Sequence, residues 1–78
     1  MAKLIQLASG QWVDPNTVTS IRAFPLHRCD ITGITHGNRV VVEYSNQGHA
    51  NYSIVDCESY DDAEAMRDDL ALRVNGLR

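Results

Sequence analysis

The sequence predicts an α+β fold, a four- to five-stranded antiparallel sheet with one C-terminal helix packed on it. Runs in which apolar and polar residues alternate fill the first three quarters of the chain, as strands require. One run with helical spacing follows at residues 59–76. Strands that precede a single helix in a chain of 78 residues indicate one small domain, residues 1–78.

The first strands are expected in the apolar runs at residues 3–7 and 12–13. Asp14 can then cap a single helical turn that Pro15 opens. Residues 18–24 alternate as a strand does, and Pro25 ends them because proline cannot donate a ladder hydrogen bond. The alternation predicts two faces, with Thr19, Ile21 and Ala23 on one and Val18, Ser20, Arg22 and Phe24 on the other.

Residues 25–38 allow two interpretations, a strand at 29–35 that turns through 36–38 or one long loop. The strand is favoured, because a structureless loop of about 14 residues is unusual in so small a domain. Residues 39–45 form the clearest strand, and their three consecutive valines indicate cover on both faces. Asn46-Gln47-Gly48 predicts a hairpin turn, and residues 49–57 return with Tyr52 and Ile54 on one face.

The final helix has both a start signal and a stop signal. Ser59 can accept a hydrogen bond from the amide of Asp62, and Asn75-Gly76 can end the helix. At 100° per residue the apolar side chains that should pack on the sheet are Ala63, Met66, Leu70, Val74 and Leu77. Leu72 points the opposite way, among acidic residues.

Charge is divided unevenly along the chain. Residues 1–55 carry four basic and three acidic side chains, a net +1, whereas residues 56–78 carry three and seven, a net −4. This acidic end repels a phosphate backbone, which makes nucleic acid an unfavourable partner and a basic protein surface a favourable one. No apolar run approaches a membrane span, and two cysteines without a leader pattern suit a reducing cytoplasm.

The residues that carry chemistry in other proteins form no strong pattern here. Two cysteines and three histidines could supply zinc ligands, but no paired spacing such as Cys-x-x-Cys occurs. Cys29 with a nearby histidine lacks the third group that orients a nucleophile. We therefore expect no catalytic residues, no metal and no cofactor, and a protein that acts by binding rather than as an enzyme.

Two binding sites are compatible with the sequence. The first is a partner-binding surface on the helix, formed by Asp61, Glu64, Asp68, Asp69 and Leu72, that would suit a basic protein. The alternative is a site for a small polar or nucleotide-like ligand, formed in a homo-oligomer by Thr32, Thr35, His36, Asn38 and Arg39.

Residues 10–21 (GQWVDPNTVTSI), followed by residues 37–42 (GNRVVV) and a closing helix, resemble the FlbD-like small flagellar-regulator proteins. Those proteins carry a similar Asn-Pro-Asp type of turn before a strand, a glycine-containing hairpin and a C-terminal helix. The chain differs by the insertion of residues 25–30 and the added strand at 49–57. The same arrangement is typical of short phage and prophage proteins, so the resemblance implies a regulatory or inhibitory binding protein.

Self-association is also expected, because a core this small gains from further burial and a short sheet has two edges. The expected edges are residues 3–7 and the strand nearest residues 29–35. Neither contains a proline, and Lys3 is the only charged side chain in the first. A two-fold homodimer, through an edge or through the helix, is the simplest closed assembly.

Overall fold

The computed structural model describes residues 4–7 and 9–77. The elements within them, in chain order, are β1 (Ile5–Gln6), β2 (Trp12–Val13), a 3₁₀ helix (Pro15–Thr17), β3 (Val18–Phe24), β4 (His27–Arg28), β5 (Thr35–His36), β6 (Arg39–Asn46), β7 (His49–Asp56) and α1 (Tyr60–Leu77). The α+β class, with one C-terminal helix on antiparallel strands, is confirmed. The strands divide into sheets of two, three and two strands rather than one sheet of four or five.

The largest sheet has the order β3-β6-β7, so the valine-rich strand β6 lies in its centre. The hairpin between β6 and β7 turns at Gln47-Gly48, where both residues have positive φ, 52° and 82°. Two such residues define the tight type I′ turn whose twist suits a hairpin. The predicted hairpin is therefore confirmed, and its register continues without a break from Asn46 opposite His49 to Arg39 opposite Asp56.

One side of this sheet, the inner face, is buried under α1, which packs on β3 and β6. Ala63, Leu70 and Val74 are the buried helix residues, and Met66 and Leu77 pack against the same core, as the helical spacing predicts. Val40, Val42 and Tyr44 of β6 lie buried beneath them.

The small β1–β2 sheet adds Ile5 and Val13 to the core, and Leu7, directly after β1, is buried with them. Its connection to β7 includes a 2.7 Å hydrogen bond between the hydroxyls of Ser9 and Ser53, the latter a buried polar residue. Asp14 caps the 3₁₀ helix by accepting from the Asn16 amide at 2.9 Å, as predicted.

The predicted faces of β3 are wrong at its start. The register shifts between Val18 and Ser20, so Thr19 is an extra residue in the strand and forms a β-bulge. The bulge moves Val18 to the side of Ile21 and Ala23, where it is buried in the core. Simple alternation cannot predict this, because each inserted residue reverses the order of the faces.

The strand favoured at residues 29–35 is also wrong. Two-residue strands β4 and β5 pair His27 with His36 and Arg28 with Thr35, and residues 29–34 connect them as a turn. The Cys29 amide donates to the Ile34 carbonyl at 2.9 Å, and the Gly33 amide donates to the Cys29 carbonyl at 2.8 Å. Gly33 has a φ of 72°, a left-handed conformation that glycine adopts without strain. Residues in a regular strand have negative φ, so this residue belongs to a turn. We call residues 25–38 the arm.

The helix starts as predicted and ends later than predicted. Ser59 accepts from the Asp62 amide at 3.1 Å, the N-cap bond that the sequence indicates. Asn75 and Gly76, however, lie within α1, which continues to Leu77. The last turn keeps its helical form where Val74 is buried against the sheet, and this packing outweighs the stop signal.

Candidate functional site

The predicted partner-binding surface lies on the outside of α1. Ala63, Leu70 and Val74 face the core, and the outer side of the helix carries Leu72, which is 73% exposed. Asp61, Asp68 and Asp69 are exposed as well, whereas Glu64 is half-buried. The structure therefore brings the five predicted residues onto one helix, with Leu72 the apolar residue among them.

Arginines on the same helix balance much of this acidity. Arg73 donates to Asp69 at 2.6 Å, and Arg67 donates to Asp68 at 3.0 Å and reaches Glu64 at 3.5 Å. The hydrogen bond with Asp68 raises the pKa of Arg67. Five carboxylates, Asp61, Asp62, Glu64, Asp68 and Asp69, with two arginines leave a net −3. The surface is acidic, but three of its four predicted carboxylates form ion pairs with arginines of the same helix.

The predicted alternative ligand site contains a residue with a structural role. Asn38 is structural, because its Oδ1 accepts from the Leu26 amide at 2.9 Å and its Nδ2 donates to the Glu58 carbonyl at 3.5 Å. Its backbone carbonyl also accepts from the Cys57 amide at 2.7 Å. The side chain therefore links the base of the arm to the segment between β7 and α1.

Two of the other four residues of that set also have local contacts. The Arg39 guanidinium lies 5.4 Å from the centre of the Phe24 ring, a cation–π contact. Thr32 accepts from the Ile34 amide at 3.3 Å within the turn. Thr35 and His36 are exposed on β5. Three of the five predicted side chains, those of Thr32, Asn38 and Arg39, are therefore engaged within the protein.

The arm itself is the feature that sequence reasoning missed. Ile31 at its turn is 96% exposed, and Leu26 and Ile34 are exposed as well. The molecule measures 46 × 27 × 17 Å, and its radius of gyration of 13.5 Å exceeds the roughly 11.5 Å expected for a compact chain of this length. The signal was available, because two isoleucines stand in a stretch rich in turn residues. The arm thus exposes three aliphatic side chains on an elongated molecule.

The arm also carries a perturbed thiol. Hydrogen bonds from the Thr32 side chain, and then from the Thr32 and Ile31 backbones, lower the pKa of Cys29. A thiolate accepts such bonds better than a thiol, so the turn favours the ionised form. Cys29 therefore provides a chemical reporter on the arm, near Ile31.

The side of the central sheet away from α1, the open face, carries both apolar and charged side chains. The register places Phe24, Val41 and Ile54 there, with Tyr52 on the same side. Tyr52 and Ile54 lie on one face of β7, as predicted, and are 60% and 58% exposed. Val41 beside them on β6 is half-buried. The cover on both faces that the three valines indicated is therefore wrong for this side.

Within the described part of the chain, no three metal-ligating side chains converge, and no helix has the length and apolarity needed to cross a membrane. Comparison with protein families, with curated proteins and with solved structures gives no match. The resemblance to FlbD-like proteins thus stays a prediction, and the surfaces described above are the basis for a functional proposal.

Proposed function

We propose that the protein is a non-enzymatic protein-binding module, a regulator or inhibitor that engages another protein through its arm. One observation carries the proposal: Ile31 is 96% exposed at the turn, with Leu26 and Ile34 exposed on the same arm. Fully burying an aliphatic side chain of this size is worth about 1.5–3 kcal/mol. An apolar arm of this kind gains free energy when a partner covers it, and exposed apolar groups of this density are typical of interaction surfaces.

The acidic helix surface supplies a second contact and selects a basic partner. Its net charge steers an oppositely charged surface toward the protein, and such long-range attraction affects association rate and salt dependence more than affinity. Leu72 offers one apolar contact within it. Because three of its carboxylates have arginine neighbours, we assign this surface the smaller share of the binding free energy.

The proposal includes a homodimer, a cytoplasmic location and no role in binding nucleic acid or membranes. Cys29 and Cys57 are both free thiols, which suits a reducing compartment. The net charge of −3 opposes binding to phosphate backbones.

Matched variants test which surface binds. The arm variant is Ile31→Ser with Ile34→Ser, and the helix variant is Asp61→Asn with Leu72→Ser; all four positions are exposed, so both variants should fold as judged by circular dichroism. Each tagged protein is used to capture partners from lysate of the source cells at low and high salt. We expect a stoichiometric partner that the arm variant loses at both salt concentrations.

The helix variant should still bind, with a weaker response to salt because it lacks one charge and one apolar contact. If the arm variant retains the partner and the helix variant loses it, the partner binds through α1 and not through the arm. Absence of any stoichiometric partner, with the wild-type protein folded, would contradict the proposed function.

A further inference from the structure

The edges of the central sheet are β3 and β7 rather than the residues 3–7 and 29–35 that the sequence indicated, and these two edges are not equally protected. At β3 the bulge at Thr19 interrupts the edge, and α1 packs against the strand. At β7 all eight residues, His49–Asp56, pair with β6 in one unbroken register. The strand contains no proline, no lysine and no bulge, which are the usual devices against pairing with another chain.

The hairpin fixes which backbone groups of β7 point away from β6. A type I′ turn at Gln47-Gly48 joins the Asn46 carbonyl to the His49 amide, so these two residues form a hydrogen-bonded pair. Such pairs alternate along an antiparallel ladder. The residues whose amides and carbonyls point outward are therefore Ala50, Tyr52, Ile54 and Asp56.

These outward groups have no partner within residues 4–7 and 9–77. Within these residues, no backbone hydrogen bond from β1, β2 or the arm is made to β7. The side-chain hydrogen bonds of β7 in the described chain involve Ser53, Asn51 and His49, and none involves the four outward residues. Backbone donors and acceptors in so regular a row form a template for another strand.

We infer that a second copy of this chain occupies the edge, with the two β7 strands antiparallel about a two-fold axis at Ser53. In this register Tyr52 lies opposite Ile54 of the second copy, and Ala50 lies opposite Asp56. Every outward residue then meets an outward residue, which gives about eight backbone hydrogen bonds, two for each such pair. Shifting the axis by one residue along the strand leaves some of these groups unpaired.

The side chains agree with this register. Tyr52 and Ile54, each more than half exposed, come together across the axis on the open face, an aromatic–β-branched pair of the kind that stabilises sheets. Asp56 is the one carboxylate on β7. In this register it lies opposite Ala50 of the second copy and not opposite the second Asp56, so two like charges do not face each other. The product is a six-stranded sheet with both helices on one side.

The inference specifies the homodimer contained in the proposed function, but it does not involve the arm. Light scattering on the arm variant and on Ile54→Pro separates the two. Proline at 54 removes an outward amide and leaves the ladder with β6 intact, a position where strands tolerate it. We expect the wild-type protein and the arm variant to have twice the single-chain mass of 8.7 kDa, and Ile54→Pro to be a monomer.

Hydrogen exchange tests the register without a substitution. In the dimer, amides 50, 52, 54 and 56 should be as protected as their neighbours 51, 53 and 55, and dilution to the monomer should deprotect only the first set. A monomeric wild-type protein at high micromolar concentration, or the same alternating protection at every concentration, would overturn the inference.

Cross-linking covers the case in which Ile54→Pro fails to fold. With Cys29→Ser and Cys57→Ala as background, Ser53→Cys places two thiols at the axis, within the Cα separation that a disulfide allows. Asn51→Cys, two residues away on the same face, is the matched control. Mild oxidation should link the first variant as a dimer and leave the second unlinked; equal linking, or none in a folded Ser53→Cys protein, contradicts this register.

Discussion

Replacing Leu70 by alanine tests how α1 is held on the sheet. Leu70 is 2% exposed and is among the largest fully buried side chains of the described residues. A buried Leu→Ala substitution costs about 2–5 kcal/mol through lost burial and the cavity that remains. A chain of this length has a total stability of about 4–12 kcal/mol. Leu70→Ala should therefore remove a large part of it.

Leu72→Ala is the matched control, because it makes the same chemical change two residues away at a side chain that is 73% exposed. Surface substitutions of this kind change stability by about 0.5 kcal/mol or less. Urea unfolding followed by circular dichroism, at one protein concentration, measures both variants. The urea midpoint of Leu70→Ala should fall by about 1–2.5 M if the slope is about 2 kcal/mol per M. Equal losses in the two variants would refute the assigned orientation of the helix.

Three further predictions concern local features. Ser59→Ala removes the N-cap bond to Asp62 and should lower the free energy of unfolding by about 1 kcal/mol in the same urea assay; no loss would mean that the cap is not formed in solution. Gln47→Asn should raise it by about 0.5–1 kcal/mol, because asparagine adopts the φ of 52° more readily, and a lower midpoint would argue against a type I′ turn. Thr32→Val should move the pH profile of Cys29 alkylation to higher pH, because the hydrogen bond that lowers the pKa of the thiol is lost; an unchanged profile would remove Thr32 from that role.

The sequence was sufficient where one local signal dominated. The strand β6, the turn at Gln47-Gly48 and the buried stripe of α1 lie where the sequence indicates. It was insufficient where a single inserted residue or a tertiary contact decides the outcome. The bulge at Thr19 moved Val18 to the other face of β3, and the packing of Val74 extended the helix past its stop signal.

The site was harder to predict than the fold, because exposure depends on tertiary structure. The spacing on α1 correctly placed Leu72 outside, but it could not show which carboxylates Arg67 and Arg73 would engage. Likewise the polar residues near Asn38 suggested a ligand site, whereas that side chain anchors the arm. The exposure of Ile31 follows from its place in the turn that connects the paired strands β4 and β5.

Thiol footprinting in intact cells tests most directly the claim that a protein partner covers the arm. Cys29 lies on the arm and Cys57 packs against the core, so the ratio of their alkylation rates reports on the arm alone. We predict that this ratio is several-fold lower in cells than for the purified protein, and that Ile31→Ser with Ile34→Ser restores it. A ratio that is the same in cells and in the purified protein would contradict binding through the arm.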